Sequence, residues 1–162
     1  MTKFLKLLAI FAITTPFPIS AEAKETYIPI LVPITGFLSL EGTAQRNGAI
    51  QALDEAPSNL KIKYEVSDTS TSPEVAVTAL QRALSRGKPV AIAAPIFGTQ
   101  MFAMLPIAKR AEVPLITVSG TAKLTELENP FIFRFFPGDA VVKVAHARYV
   151  TEVLRAKRPA LL

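Results

Sequence analysis

Apolar positions along the chain recur with two periods, and the switching between those periods sets the expected architecture. Residues 27–34, YIPILVPI, form a short apolar run closed by a turn signal. The segment after it, GTAQRNGAIQALDEA (42–56), places Ala44, Ala49, Ala52, Leu53 and Ala56 on one helical face. A first strand and a first helix are predicted. LKIKYEV (60–66) sets Leu60, Ile62, Tyr64 and Val66 against Lys61, Lys63 and Glu65, the period of a strand with one wet face, as an edge position has. Ser72, Pro73 and Glu74 then spell a helix start: a hydroxyl cap, a proline where no amide is needed, and an acid near the positive end of the dipole. This helix runs through VAVTALQRAL and stops near Gly87.

PVAIAAPI (89–96) is apolar on both sides, the pattern of a central strand buried between two helical layers. It leads through Phe97, Gly98 and Thr99 into a helix, QMFAMLPIAKRAE (100–112), in which Pro106 removes one hydrogen bond and predicts a kink. PLITV (114–118) is a fourth strand and FIFRFF (131–136) a fifth extended segment. Gly138 and Asp139 open an amphipathic helix carrying Val141, Val144, Ala145, Arg148 and Tyr149, and PALL (159–162) has the pattern of a further strand cut short. Strand and helix alternating in this way predict an α/β fold: a parallel sheet with right-handed crossovers and helices on both faces.

The first residues depart from that alternation. Lys3 and Lys6 lie at the start of the apolar run FLKLLAIFAITTPFPIS, and Ala21 and Ala23 put small residues where a signal peptidase reads. Residues 1–23 are therefore expected to be a secretory signal, too short between Lys6 and Pro16 for the roughly 20 residues of a membrane span. Half of the 162 residues are hydrophobic, which fits one domain with its own core. The chain has no cysteine, so an exported form relies on that core and not on disulfides. Its charge of +5 is scattered; Arg155, Lys157 and Arg158 suit a solvated helix end, and no nucleic-acid partner is expected.

In a sheet of this kind a ligand crevice lies at the carboxyl ends of the strands, near the point where strand order reverses. Three loops fall there: Thr35-Gly36-Phe37-Leu38-Ser39, Phe97-Gly98-Thr99 and Ser119-Gly120-Thr121. Each combines small residues with hydroxyls, a composition that suits an ordinary turn and equally the amides and hydroxyls of an anion site. Three such loops at one edge favour the site. Catalysis finds no foothold. The sequence contains no phosphate loop with its Lys-Ser/Thr pair, no G-x-G-x-x-G and no G-x-S-x-G. His146, the one histidine, sits mid-helix and reads as a surface residue. Asp68, Glu126, Glu128 and Asp139 have no metal-ligand spacing, and Asp68 reads as a turn residue. No catalytic residue, metal or cofactor is expected.

Four blocks together carry a resemblance: IPILVPITGFLSLEGTAQRNGAIQALDE, YEVSDTSTSPEVAVTAL, AAPIFGTQMFAMLPIAKRAEVPLITVSGTAKLT and FIFRFFPGDAVVKVAHARYV. In this order and spacing they resemble the type I periplasmic solute-binding proteins. Within that family the pattern is most similar to the leucine/isoleucine/valine-binding proteins of branched-chain amino acid ABC importers. The resemblance implies a Rossmann-like N-terminal lobe whose third and fourth loops grip the ligand's carboxylate and ammonium. Gly98, with Phe97 and Thr99 beside it, stands where the family usually has a serine; Thr99 supplies a hydroxyl from the next position. The carbonyl of Ser119 and the hydroxyl of Thr121, with Gly120 between them, match the ammonium and carboxylate contacts. Leu40 matches a position that touches the ligand's side chain.

The resemblance further implies a periplasmic location, no enzymatic activity, a small-molecule ligand (an amino acid or a related carboxylate or amide) and, at full length, an ABC permease as partner. Family members are roughly twice as long, with two lobes that close around the ligand. Residues 24–162 are thus expected to be the N-terminal lobe alone, truncated before the second, with the weak affinity of half a cleft. The alternatives are a periplasmic ligand-sensing or protein-interaction module built from a single lobe, and a small exported enzyme.

Overall fold

The structure, a computed structural model, describes residues 25–160. The expected signal segment, together with Leu161 and Leu162 of the expected last strand, lies outside the described residues. The first strand, β1 (Thr26–Val32), is followed by α1 (Ser39–Asp54) and by β2 (Ile62–Asp68), which pairs with β1 in parallel from Thr26 opposite Ile62 to Val32 opposite Asp68. Next come α2 (Pro73–Arg86), β3 (Ile92–Ala93), α3 (Gly98–Ala111), β4 (Leu115–Thr117), a 3-10 turn (Ala122–Thr125), β5 (Ile132–Arg134) and α4 (Asp139–Arg148). The five strands form one all-parallel sheet in the order β2-β1-β3-β4-β5. The edge position expected for β2 and the central position expected for β3 are both observed. Strand order reverses between β1 and β3, so right-handed crossovers carry α1 over one face and α2 and α3 over the other.

Local chemistry explains where the helices start. Ser72 caps α2, its hydroxyl accepting from the Val75 amide at 3.3 Å, with Pro73 in the first turn and Gly87 just past the end. α2 buries Ala76, Ala79, Leu80 and Ala83. Small residues on that face let α3 approach, and Met101, Met104 and Leu105 complete a single core with Leu31, Ile92 and Leu115 of the sheet. Pro106 is accommodated inside α3. Edge strand β2 is pinned differently from its alternation. Glu65 is half-buried because it accepts from the Tyr27 hydroxyl at 2.7 Å and pairs with Arg86, whereas Val66 is exposed. Burial of the Tyr27 ring, then the neighbouring Glu65 carboxylate, pushes the phenol up to about 12.

The opposite face is less covered than the sequence pattern predicts. α1 buries only Gly42; Ala44 and Ala52 are exposed and Ala49, Leu53 and Ala56 half-buried. Two contacts tie this helix to the sheet: Gly42 packs against Pro33 just past β1, and Gln45 Nε2 donates to the Ala94 carbonyl at 2.6 Å. Between α1 and the sheet lies a cleft of about 520 Å³, lined by Ala44, Ala49, Ala93, Ile96, Ile116 and Val118 among others. Ile116 and Phe133 on that face are 40% and 46% exposed, so the alternation of β4 and β5 finds a helical layer on one side only. α4 buries no residue, and it continues as a π-helical turn, Tyr149–Val153. Its expected apolar stripe is present but open to solvent, with Val141 at 68% and Val144 at 58% exposed. Pro159 and Ala160 form no strand.

This asymmetry predicts two very different mutational costs. Met104→Ala, in the closed core, is expected to lower stability by about 2–5 kcal/mol. Val144→Ser, on the open stripe, is expected to change it by no more than about 0.5 kcal/mol. Urea denaturation followed by circular dichroism measures both, and a comparable loss at the two positions would contradict the burial pattern.

Candidate functional site

The carboxyl ends of all five parallel strands lie along one edge, and two polar hubs organise the loops that leave it. The first is Asp68 at the end of β2. Its Oδ1 accepts from the amides of Ile34 (2.8 Å), Thr35 (3.2 Å) and Ser70 (2.8 Å), and its Oδ2 from the hydroxyls of Thr35 (2.6 Å) and Ser70 (3.2 Å). Thr71 extends the link, its hydroxyl donating to the Thr35 carbonyl at 3.0 Å. Asp68 is therefore more than the turn residue read from the sequence: it locks the loop after β1 to the loop after β2. Partial burial works to raise its pKa. The bonds from the Thr35 hydroxyl and the Ser70, Thr35 and Ile34 amides outweigh that and hold the carboxyl at about 2, below its ordinary 3.8.

The second hub joins β3 to β4. The buried Thr117 hydroxyl donates to the Pro95 carbonyl at 2.7 Å and accepts from the Ser119 amide at 3.0 Å. Above it, Gly98 opens α3 directly against Thr121, and a Cβ at position 98 would overlap the Thr121 hydroxyl oxygen. The loops after β3 and β4 thus touch, and Thr121 occupies the space that a side chain at 98 would need. Ser119 is buried beneath them; its hydroxyl lies 3.4 Å from that of Thr121 and 3.5 Å from the Thr121 amide. Bonds this long are weak enough to be exchanged for a ligand oxygen. Phe97, the residue before α3, provides no side-chain cap, which leaves the first-turn amides of a 14-residue helix without a side-chain acceptor at the positive end of its dipole.

The other expected residues fall around this contact. The Phe97 ring meets Phe37 edge to face, centroids 5.3 Å apart at 88°, above the crevice where strand order reverses between β1 and β3. Thr99 is exposed on the first turn of α3. Leu40 is 79% exposed on the first turn of α1, and the side chain of the first loop that reaches the third is that of Phe37. Two residues that sequence reasoning left out of the site also belong to it. Arg134, at the end of β5, donates from Nη1 to the Thr121 carbonyl and from Nη2 to the Thr125 hydroxyl, both at 3.0 Å. Asp139 opens α4, its amide donating to the Gly120 carbonyl at 2.6 Å and its carboxylate filling the space a Cβ at Gly120 would take. The available signal was a single cation inside FIFRFF. Among the described residues no three His, Asp or Glu side chains come close enough to share a metal ion.

A parallel sheet with polar, hydroxyl-bearing loops along one edge invites comparison with known proteins. The profile of the periplasmic binding proteins matches residues 25–162, nearly the whole chain. The chain belongs to the periplasmic binding protein family. Among solved structures, it superimposes on a leucine-binding protein, LivK, from Thermotoga maritima with a TM-score of 0.75 and 27% identity, covering 82% of this chain and 39% of that one. The branched-chain amino acid transporter substrate-binding protein LivJ of Streptococcus pneumoniae, in complex with isoleucine, matches at 0.74 and 25%, covering 83% and 40%. A solute-binding protein of an ABC transporter from Rhodopseudomonas palustris BisB5, bound to 3,4-dihydroxybenzoic acid, matches at 0.61 and 25%, covering 68% and 31%. No curated protein sequence matches significantly. The chain thus spans about two fifths of the length of the first two of these periplasmic binding proteins.

For this periplasmic binding protein the Asp68 hub has a definite pH signature. Its carboxyl binds a proton less readily folded, at about 2, than at its ordinary 3.8, so the unfolded chain takes up the proton first as pH falls. The stabilisation is complete above roughly pH 4 and is lost as the pH falls toward 2. Asp68→Asn is expected to lower stability at pH 7 by about 2 kcal/mol and to flatten the acid limb of the stability curve. Urea midpoints from pH 2 to 7 check this, and an unchanged acid limb in the variant would refute the hub.

Proposed function

We propose that residues 24–162 serve as the N-terminal, ligand-binding lobe of a periplasmic solute-binding protein that delivers an amino acid, or a related small carboxylate or amide, to an ABC permease. The observation that carries this reading is the meeting of Thr121 with Gly98 at the start of α3. It brings a hydroxyl and the first-turn amides of a helix together on the edge, a combination that suits a carboxylate, and the Arg134 guanidinium lies behind the same loop on the Thr121 carbonyl. A hydroxyl from Thr121, with Thr99 one residue beyond Gly98, takes the place of the side chain that Gly98 lacks. The isoleucine and 3,4-dihydroxybenzoic acid bound by two relatives share a carboxylate on an apolar body, and the Phe37–Phe97 pair offers apolar contact to either. Residues 1–23, read as a secretory signal, place the lobe in the periplasm.

A second reading, a periplasmic sensing or protein-interaction module, is favoured by one feature: the apolar stripe of α4, with Val141, Val144 and Tyr149 all exposed. Titration separates the two. Isoleucine, leucine or 3,4-dihydroxybenzoate added to the purified chain from Lys24 is expected to bind with a Kd of about 1 mM or weaker, because one wall buries a small ligand incompletely. Thr121→Ala is expected to abolish that binding. Micromolar affinity would contradict a one-walled site, and binding that survives Thr121→Ala would move the site elsewhere.

A further inference from the structure

We propose that Arg134 is the positioning residue of the head-group loop: it sets how Thr121 is presented to the ligand and adds positive charge behind that presentation. This role rests on the reading of Ser119–Thr121 as part of a carboxylate site. Arg134 stands opposite Thr117 in the β4–β5 register, so it rises from the neighbouring strand at the level where the loop leaves the sheet. Its planar fork spans the 3-10 turn from entrance to exit, with Nη1 on the Thr121 carbonyl and Nη2 on the Thr125 hydroxyl. Lysine lacks that geometry, since one ammonium on a flexible stem does not fix two acceptors in a plane.

Holding the Thr121 carbonyl fixes the backbone at Thr121, where φ is −57° and ψ is 110°, and hence the direction in which its Cβ and hydroxyl point toward Gly98. The bonds inside the loop are too long to do this: 3.4 Å between the Ser119 and Thr121 hydroxyls and 3.5 Å from the Thr121 amide to Ser119 Oγ. Charge-assisted bonds of 3.0 Å are the stronger constraint. The Leu124 amide also donates to the Thr121 carbonyl, at 3.2 Å, so the turn itself survives loss of the guanidinium and only its orientation is released. On the other side of the loop the Asp139 amide holds the Gly120 carbonyl at 2.6 Å, and the guanidinium packs beside Gly138. Presentation of Thr121 is thereby tied to the segment that leads into α4.

The test compares the chain from Lys24 with its Arg134→Gln and Arg134→Lys variants by amide NMR, titrating isoleucine and isoleucinamide. Arg134→Gln is expected to shift the Gly120 and Thr121 amide signals and to weaken isoleucine binding about tenfold. It should narrow the preference for carboxylate over amide while leaving the thermal midpoint within a few degrees. Arg134→Lys, which keeps the charge and loses the fork, is expected to retain that preference and to lose part of the affinity. Unmoved Gly120 and Thr121 signals with wild-type affinity in Arg134→Gln would overturn the role and leave the carboxylate site standing. So would an equal loss for isoleucine and isoleucinamide. A wild-type chain that binds neither probe would overturn the site itself, and this role with it.

Discussion

The buried hydroxyl of Thr117 is the interaction on which the functional edge depends. It donates to the Pro95 carbonyl and accepts from the Ser119 amide, so one atom joins the two strands β3 and β4 at the level where both chains leave the sheet. It adds a side-chain tie to the backbone ladder between these strands, which ends with the Ala94 amide on the Ile116 carbonyl at 2.8 Å, and the hydroxyl bonds between Ser119 and Thr121 above it are long. With it, Gly98 and Thr121 are pressed together, and the Thr121 hydroxyl fills the space at the start of α3 that a side chain at position 98 would need. Asp68 does the equivalent work for β1 and β2 with a carboxylate and five donors. A parallel sheet puts every strand end on one side; these two hubs make that side a defined surface.

Rigidity is distributed accordingly. The face under α2 and α3 is a closed apolar core in which Met101, Met104 and Leu80 are fully buried. The face under α1 holds an apolar cleft, and α4 lies outside the core with no buried residue. The loop after β4 is built on the closed half, through Thr117 and the start of α3, and is braced from β5 by Arg134. The closely bonded loops thus stand on the closed half, and the less covered elements lie to either side.

Much of the fold was legible in the sequence because it is encoded locally. Ser72-Pro73-Glu74 is a helix start by its own chemistry, and the observed cap is the one it predicts. Alternation in LKIKYEV and continuous apolarity in PVAIAAPI distinguish an edge strand from a central one, and the sheet order agrees. The small, hydroxyl-bearing loops at the strand ends are visible for the same reason. What was not legible depends on partners far away along the chain. Asp68 looks like a turn residue until Ile34 and Thr35, more than thirty positions earlier, are brought to it by strand pairing. Arg134 is a lone cation in an apolar run until the register sets it beside the turn after β4. The alanine face of α1 has helical period, but period does not show whether a surface lies beneath it, and here it is only partly covered.

Carboxylate binding at the edge formed by the loops after β3 and β4 is open to measurement. Amide chemical-shift mapping of the chain from Lys24 with 3,4-dihydroxybenzoate tests it most directly, because the candidate surfaces lie on different elements. Saturable shifts are expected at Gly98, Thr99, Gly120 and Thr121. Shifts confined to the α1 cleft or to the stripe of α4, with these four signals unmoved, would contradict it.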